Sequence, residues 1–229
     1  MLRKFLVKYF ADFSNTNSFA YKLRKKRFDL FVKLLGDKIK KNITILDLGG
    51  ESVYWEVLDK EKIFHQDNIQ IIMLNLIKEK SHSPNMISIV GNAKNLSMFR
   101  DKSVDIVFAH SVIQYITNTI DKFQMAKEIE RVSDCYFIQT PNYYFPLEPH
   151  YKMPFFQFFP LKMKAFILRH FKTGLKKKLT DYNLSIKAAK RVKLLKKKEL
   201  RKLFPDSTLY CERALGMTKS FTIHKGFGF

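Results

Sequence analysis

Residues 43–50 read Ile-Thr-Ile-Leu-Asp-Leu-Gly-Gly, a β-branched and apolar run that ends in two glycines. Such a run is typical of a strand that is buried on both faces of a parallel sheet. Glycines at its end let the backbone turn sharply and approach a ligand closely. Because ligands of open parallel sheets bind at the carboxyl ends of the strands, this stretch predicts both the sheet and its functional edge.

Further apolar runs of the same kind predict the rest of the parallel sheet. Helix-forming segments at 51–61 and 119–132 separate some of the runs, as right-handed crossovers require. Towards the C-terminus, 207–213 and 218–224 flank Gly216, which predicts an antiparallel hairpin. Five parallel strands and this hairpin make an α/β sheet of seven strands. The four additional parallel runs lie at 69–74, 86–90, 104–109 and 134–139.

Composition limits the class of protein. The chain has 229 residues with 46% hydrophobic residues, enough for a core. Neither Cys135 nor Cys211 lies in a C-x-x-C pair, so we expect no disulfide scaffold and no metal site. The N-terminus lacks the apolar core of a secretion signal, and no run is long enough to span a membrane. We therefore expect a cytoplasmic chain that can also be peripheral at the inner membrane face.

The charge predicts an anionic partner. Forty-two basic residues against 21 acidic ones leave a formal charge of +21. Sixteen of the basic residues fall between Leu161 and Lys202, where Asp181 and Glu199 are the only acids. Lysine predominates, although arginine reads phosphates and bases better, so nucleic acid is the weaker candidate beside an anionic membrane surface. A host genome poor in G and C would also produce this predominance of lysine.

Polar side chains follow successive strands at the predicted functional edge. Asp47 can accept hydrogen bonds, Asn75 can hold a hydroxyl, and the amide of Asn92 can pair with an adenine edge. His110 ends the fourth run. Each of these residues, taken alone, also fits an ordinary turn or a structural role.

Four motifs in this order, LDLGG, LNL, GNA and DIVFAHSVIQYI, resemble the class I S-adenosylmethionine-dependent methyltransferases. The type 11 branch, with a Rossmann-like sheet and helices on both faces, is the most similar, and the resemblance spans 43–225. The segment Thr140-Pro-Asn-Tyr-Tyr-Phe-Pro-Leu-Glu-Pro-His150 is similar to one in bacterial members associated with surface-glycan biosynthesis.

The resemblance implies S-adenosyl-L-methionine as cofactor and assigns residues to its parts. Glu51 and Val53 stand where the family has further glycines, and Asn75 where it has an acid. The implied cofactor residues are Asp47, Gly49, Gly50 and Glu51 around the methionine part, Asn75 and Leu76 at the ribose, Asn92 and Ala93 at the adenine, and His110 on the methionine side.

Methyl transfer to a hydroxyl also needs removal of a proton. His150, with Glu148 two residues before it on a proline-framed segment, is the predicted base. The alternative is that both side chains bond to the backbone of a rigid loop. We predict an O-methyltransferase of a glycan, a lipid-linked sugar or another small molecule. The alternatives are an RNA methyltransferase and a non-catalytic peripheral membrane or partner-binding protein.

The domain prediction is a single methyltransferase domain over 1–229. Aromatic and lysine residues alternate in the segment 153–171, and we expect core packing there, with an interfacial element as the alternative. Contact with an anionic membrane would then run through 153–202. The parts of the domain are N-terminal helices at 1–41, a cofactor-binding core at 42–140, a substrate-side loop and basic helical cap at 141–205, and the hairpin at 206–229.

Overall fold

The fold was analysed in a computed structural model, which describes residues 15–81, 83–173 and 178–227. The predicted strands are all present. The strands are β1 (Ile43–Leu48), β2 (Ile69–Asn75), β3 (Met86–Val90), β4 (Ile106–His110), β5 (Tyr136–Pro141), β6 (Leu147–Glu148), β7 (Met153–Pro154), β8 (Thr208–Ala214) and β9 (Met217–Lys225). The α-helices are α1 (Phe19–Leu35), α2 (Ser52–Leu58), α3 (Thr119–Val132), α4 (Leu161–His170), α5 (Tyr182–Lys190) and α6 (Lys197–Leu203).

Seven of these strands form one sheet in the order β3-β2-β1-β4-β5-β9-β8. β1 lies between β2 and β4 and is parallel to both, and β2 is parallel to β3. β8 and β9 are antiparallel, with Gly216 at a φ of 75° in their turn. The prediction of a Rossmann-like α/β sheet with an antiparallel C-terminal hairpin is therefore confirmed.

The first described helix, α1, shows how local sequence sets an element. The Ser18 hydroxyl accepts a hydrogen bond from the Tyr21 amide at 3.0 Å and caps the N-terminus. The helix ends at Leu35 and is followed by Gly36, whose φ of 49° favours glycine. Phe28 and Phe31 lie on the buried face. The first fourteen residues of the predicted N-terminal helices lie outside the described residues.

The structure divides into two compact units, and each has its own apolar core. The first comprises the described residues of 1–109, 128–137 and 225–229, and the second those of 110–127 and 138–224. Aromatic rings fill the first core, where the Phe31 and Phe108 centroids are 5.0 Å apart. In the second unit, Tyr151 and Phe156 pack with residues of α4 and α5.

The aromatic segment before and within α4 differs from our expectation of core packing. Phe156 is buried, but Phe155, Phe166 and Phe171 are each more than half exposed. The reason is geometric, because only one face of the amphipathic α4 can pack against α5. β6 and β7 also pair as a short antiparallel ribbon in the part that we predicted to be irregular. Among the described residues, no helix combines the length and the apolar character that crossing a membrane requires.

Candidate functional site

The carboxyl end of β1 is built around a buried carboxyl group. Asp47 is 2% exposed, and its Oδ2 accepts a hydrogen bond of 2.8 Å from the indole Nε1 of Trp55. A Cβ placed on Gly50 would overlap this carboxyl group. Position 50 thus needs a glycine because the Asp47 side chain occupies the space of a Cβ. The sequence had suggested a different reason, which was the close approach of a ligand to the backbone. Gly49 has a φ of 70°, and its amide donates to the Leu74 carbonyl at 2.8 Å.

The environment of Asp47 favours its neutral form. Burial raises the pKa of Asp47 to about 8, the Trp55 hydrogen bond opposes this rise, and the nearby Glu51 carboxylate adds to it. Glu51 itself is exposed. At neutral pH the carboxyl end of β1 therefore carries a carboxyl group that is largely protonated.

Asn75 connects the ends of three neighbouring strands. Its Nδ2 donates to the Gly50 carbonyl at 2.7 Å, and its own carbonyl accepts from the Gly91 amide at 2.8 Å. Within the described part of the chain, no hydrogen bond occupies the Asn75 Oδ1. The structure thus brings together the predicted residues Gly50, Asn75 and Asn92, which follows Gly91.

Exposed aliphatic side chains surround these polar groups. Leu76, directly after β2, is 74% exposed, and Val90 and Met98 are each more than half exposed. Asn92 is exposed, and its Oδ1 accepts from the Lys94 amide in a tight turn that also contains Ala93. This edge of the first unit therefore offers apolar surface beside hydrogen-bonding groups, which is the chemistry of a nucleoside site.

Arg131 of α3 holds the loop that follows β3. Its guanidinium donates to the Leu96 and Phe99 carbonyls at 3.0 and 2.9 Å and to both oxygens of Glu128. Glu128 in turn accepts from the Leu96 amide at 2.6 Å. These hydrogen bonds raise the pKa of Arg131 and lower that of Glu128. The loop lacks a helix but is fixed to α3.

The second unit holds the predicted base. His150 Nδ1 lies 2.6 Å from Glu148 Oε1, and Glu148 Oε2 accepts from the Tyr151 amide at 2.6 Å. Glu148 is 2% exposed. Both predicted side chains are therefore in direct contact, and the alternative of backbone bonding holds only for one oxygen of Glu148.

The other ring nitrogen of His150 faces Gln114. The Gln114 amide nitrogen lies 3.4 Å from His150 Nε2 and donates to the Ser111 carbonyl at 2.6 Å. Tyr115 packs edge-on against His150 with ring centroids 5.3 Å apart, and the Arg191 guanidinium lies over the Tyr115 ring at 5.7 Å. A half-exposed aromatic side chain thus borders the histidine, and a cation lies over the ring of that side chain.

Glu148 also lines a cavity of about 100 Å³ in the second unit. Gln157 lines it too, and within the described residues the buried Oε1 of Gln157 has no hydrogen-bond partner. Lys164 donates to the Gln157 carbonyl at 2.9 Å, and burial lowers the pKa of this lysine. The cavity is smaller than the pockets that enclose whole ligands, but it can hold one substituent or water.

The comparisons with known proteins agree with this geometry. A family model for the methyltransferase domain matches residues 46–134, which include the ends of β1, β2 and β3. A solved SAM dependent methyltransferase from Archaeoglobus fulgidus is similar at a TM-score of 0.53 and 13% identity, over 89% of this chain and 93% of that chain. Residues 46–134 thus match a methyltransferase domain, and the chain shares the fold of a solved S-adenosylmethionine-dependent methyltransferase.

Further solved structures share the fold of the chain. The CurJ carbon methyltransferase is similar at a TM-score of 0.55 and 8% identity, over 98% of this chain and 58% of that chain. The 1,6-didemethyltoxoflavin-N1-methyltransferase of Burkholderia thailandensis, solved with S-adenosylhomocysteine, is similar at a TM-score of 0.51 and 9% identity. The match covers 88% of this chain and 78% of that chain. No curated protein matches the chain by sequence.

The residues of the first unit fit S-adenosylmethionine, the cofactor predicted from the sequence. The Asn75 Oδ1 can accept from a ribose hydroxyl, and the exposed Leu76 side chain beside it offers apolar contact to the same ribose. The assignment of Asp47, Gly49, Gly50 and Glu51 to the methionine part stays a prediction. His110 ends β4 in the second unit, half-buried, and its assignment stays a prediction.

Sequence reasoning missed the side chains that contact Asp47 and His150. Trp55 was overlooked as the donor to Asp47, although it is the only tryptophan in the sequence. Gln114 and Tyr115 belong to a quoted motif, but its sequence spacing carries no information about His150. These contacts depend on tertiary packing, which a local pattern does not report.

Proposed function

We propose that the methyltransferase modifies a hydroxyl group of a glycan, a lipid-linked sugar or another small molecule, with His150 as the general base. The observation that carries this proposal is the hydrogen bond between His150 and the buried Glu148. A carboxylate on one ring nitrogen of a histidine keeps the other nitrogen available to accept a proton.

His150 would act through its Nε2. In the tautomer whose Nδ1–H donates to Glu148, the lone pair lies on Nε2, which faces the Gln114 amide nitrogen at 3.4 Å. The imidazole would take the proton of the acceptor hydroxyl while the new oxygen–carbon bond forms. When bound, S-adenosylmethionine supplies an electrophilic methyl group, and its sulfur keeps the electron pair of the broken carbon–sulfur bond. No metal is needed for this proton balance.

The surroundings of His150 support a positioning role for its neighbours. The His150 side chain is only 12% exposed, so an acceptor that reaches Nε2 displaces little water. Tyr115 beside it offers a ring on which a sugar can stack. The resemblance of the segment 140–150 to glycan-associated members supports a sugar as the acceptor, as does Gln157 Oε1, which can accept a bond from a hydroxyl.

The proposal is tested by substitution of the base. His150→Ala should lower kcat roughly 10²- to 10⁴-fold, because general-base catalysis contributes about that much. The Kd of S-adenosylhomocysteine, measured by calorimetry, should stay within about twofold. Tyr182→Ala, which removes an exposed ring from α5 of the same unit, is the matched control. Equal losses of turnover and of cofactor affinity in His150→Ala would refute the base role.

The acceptor class needs a separate experiment. The full-length chain would be incubated with cofactor carrying a tritium-labelled methyl group and with either extracted glycolipid or extracted RNA. We expect label in the glycolipid, and mass spectrometry of surface glycans from a deletion strain should show the loss of one methyl increment. Label in RNA alone would instead favour the RNA methyltransferase that the charge of +21 suggests.

A further inference from the structure

The outward side of α4 exposes large apolar side chains together with cations. Phe166 is 56% exposed, and Phe171, directly after the helix, is 57% exposed. Such side chains are usually covered when they occur as a group. We call this surface the α4 face, and it consists of Lys162, Met163, Phe166, Arg169, His170, Phe171 and Lys172.

Helix geometry places these residues on one side. At 100° per residue, the positions 162, 163, 166, 169 and 170 fall within an arc of about 120° that is centred on Phe166. Ala165, Ile167 and Leu168 lie outside this arc and are buried. The apolar and cationic side chains therefore share the solvent side of α4.

The apolar part of the face is continuous. The Phe166 ring lies 4.4 Å from the His170 ring and 6.5 Å from the Phe171 ring, measured between centroids. Phe155 and Phe158 precede the helix and are 53% and 42% exposed. Their rings form a second contact at 6.4 Å in the same unit.

The charge of this region has one sign. No aspartate or glutamate occurs between Glu148 and Asp181, whereas eight lysines and arginines do. Lys162, Arg169 and Lys172 are exposed beside the apolar cluster. An anionic surface is the electrostatic complement of such a face.

We propose that the α4 face docks on a membrane surface that contains anionic lipid. Phe166, Phe171 and Met163 would enter the boundary between headgroups and acyl chains, while the flanking cations contact lipid phosphates. A bilayer suits this face better than nucleic acid. One side of the Phe166 ring is already covered by His170, and Met163 offers no plane on which a base can stack, whereas hydrocarbon accepts both side chains.

Docking brings the methyltransferase to acceptors that are carried on lipids. It does not depend on the proposed chemistry, because the α4 face contains neither His150 nor the cofactor residues. The two proposals can therefore fail separately. A binding experiment without cofactor and without acceptor tests only the docking surface.

The experiment is co-sedimentation of the full-length chain with vesicles of phosphatidylcholine, with and without phosphatidylglycerol. We expect binding only to the vesicles with phosphatidylglycerol, and loss of at least about tenfold in the partition coefficient for the double variant Phe166→Ser, Phe171→Ser. Phe123→Ser removes a 40% exposed phenylalanine from α3 of the same unit and should bind like the parent chain.

A charge variant gives the second measurement. Changing Lys162, Arg169 and Lys172 to glutamine should weaken binding about tenfold or more at low salt, while Lys197→Gln with Lys198→Gln on α6 should have a smaller effect. Far-UV circular dichroism and S-adenosylhomocysteine binding check that each variant is folded. Unchanged vesicle binding of the phenylalanine variant would overturn the proposal. So would tight binding to an RNA oligonucleotide that both sets of α4 substitutions abolish while vesicle binding is weak.

Discussion

At the scale of single residues, the environment of the Asp47 side chain is far from that of water. Its carboxyl group is buried, receives the Trp55 N–H, and has a pKa of about 8. The folded chain thus prefers the protonated acid, and the unfolded chain titrates near its ordinary value of about 4. The contribution of Asp47 to stability is therefore complete below about pH 4 and is lost as the pH rises through about 8.

This linkage predicts the behaviour of Asp47→Asn, which is isosteric and cannot ionise. Between pH 5 and pH 8.5 the melting temperature of the parent chain should fall relative to that of the variant by at least about 4 °C. Thermal unfolding followed by circular dichroism at both pH values measures the difference. Asp67→Asn, at an exposed acid, should follow the parent chain. A constant offset between parent and Asp47→Asn across this range would show that Asp47 is ionised in the fold.

At the scale of elements, the strands were predictable and several contacts were not. A strand buried on both sides reads as a continuous apolar run, and β1 was predicted from such a run with its observed bounds. The edge strand β3 was also predicted with its observed bounds, although most of its residues are partly buried or exposed. The helix α3 was also predicted to the residue. The exposure of Phe166 was not predicted. The pattern of an amphipathic helix indicates that the helix has two faces, but it does not indicate which elements cover each face. For the same reason Asp47 was predicted as a site residue without its partner Trp55.

Another feature at this scale is the attachment of the loop after β3 to α3 through Arg131. Arg131→Met removes the donors to the Leu96 and Phe99 carbonyls. Amide hydrogen exchange at 92–99 should accelerate, and the Kd of S-adenosylhomocysteine should rise about three- to tenfold, because the loop carries Asn92. Arg100→Met, on the same loop and exposed, is the control. Unchanged exchange in Arg131→Met would mean that the loop is held by its own turns.

At the scale of the whole molecule, the chain passes between its two units four times, after residues 109, 127, 137 and 224. After the last of these passages, Phe227 lies in the core of the first unit and is 5% exposed. The centroid of its ring lies 6.0 Å from that of the Phe31 ring. The Lys38 Nζ donates to the Gly226 carbonyl at 2.5 Å beside it. The strand β9 of the second unit is therefore continuous with a core residue of the first.

This connectivity predicts one cooperative unfolding transition. Phe227→Ala should destabilise the fold by about 3–5 kcal/mol, the usual cost of removing a buried phenylalanine side chain. Trp55 is the only tryptophan and lies in the first unit, so its fluorescence reports that unit, while far-UV circular dichroism reports the whole chain. Both signals should move together to a lower melting temperature, and Phe123→Ala at an exposed site should leave both nearly unchanged. If only the fluorescence transition shifts, the units unfold independently despite the four passages, and the chain behaves as two domains instead of the predicted single one.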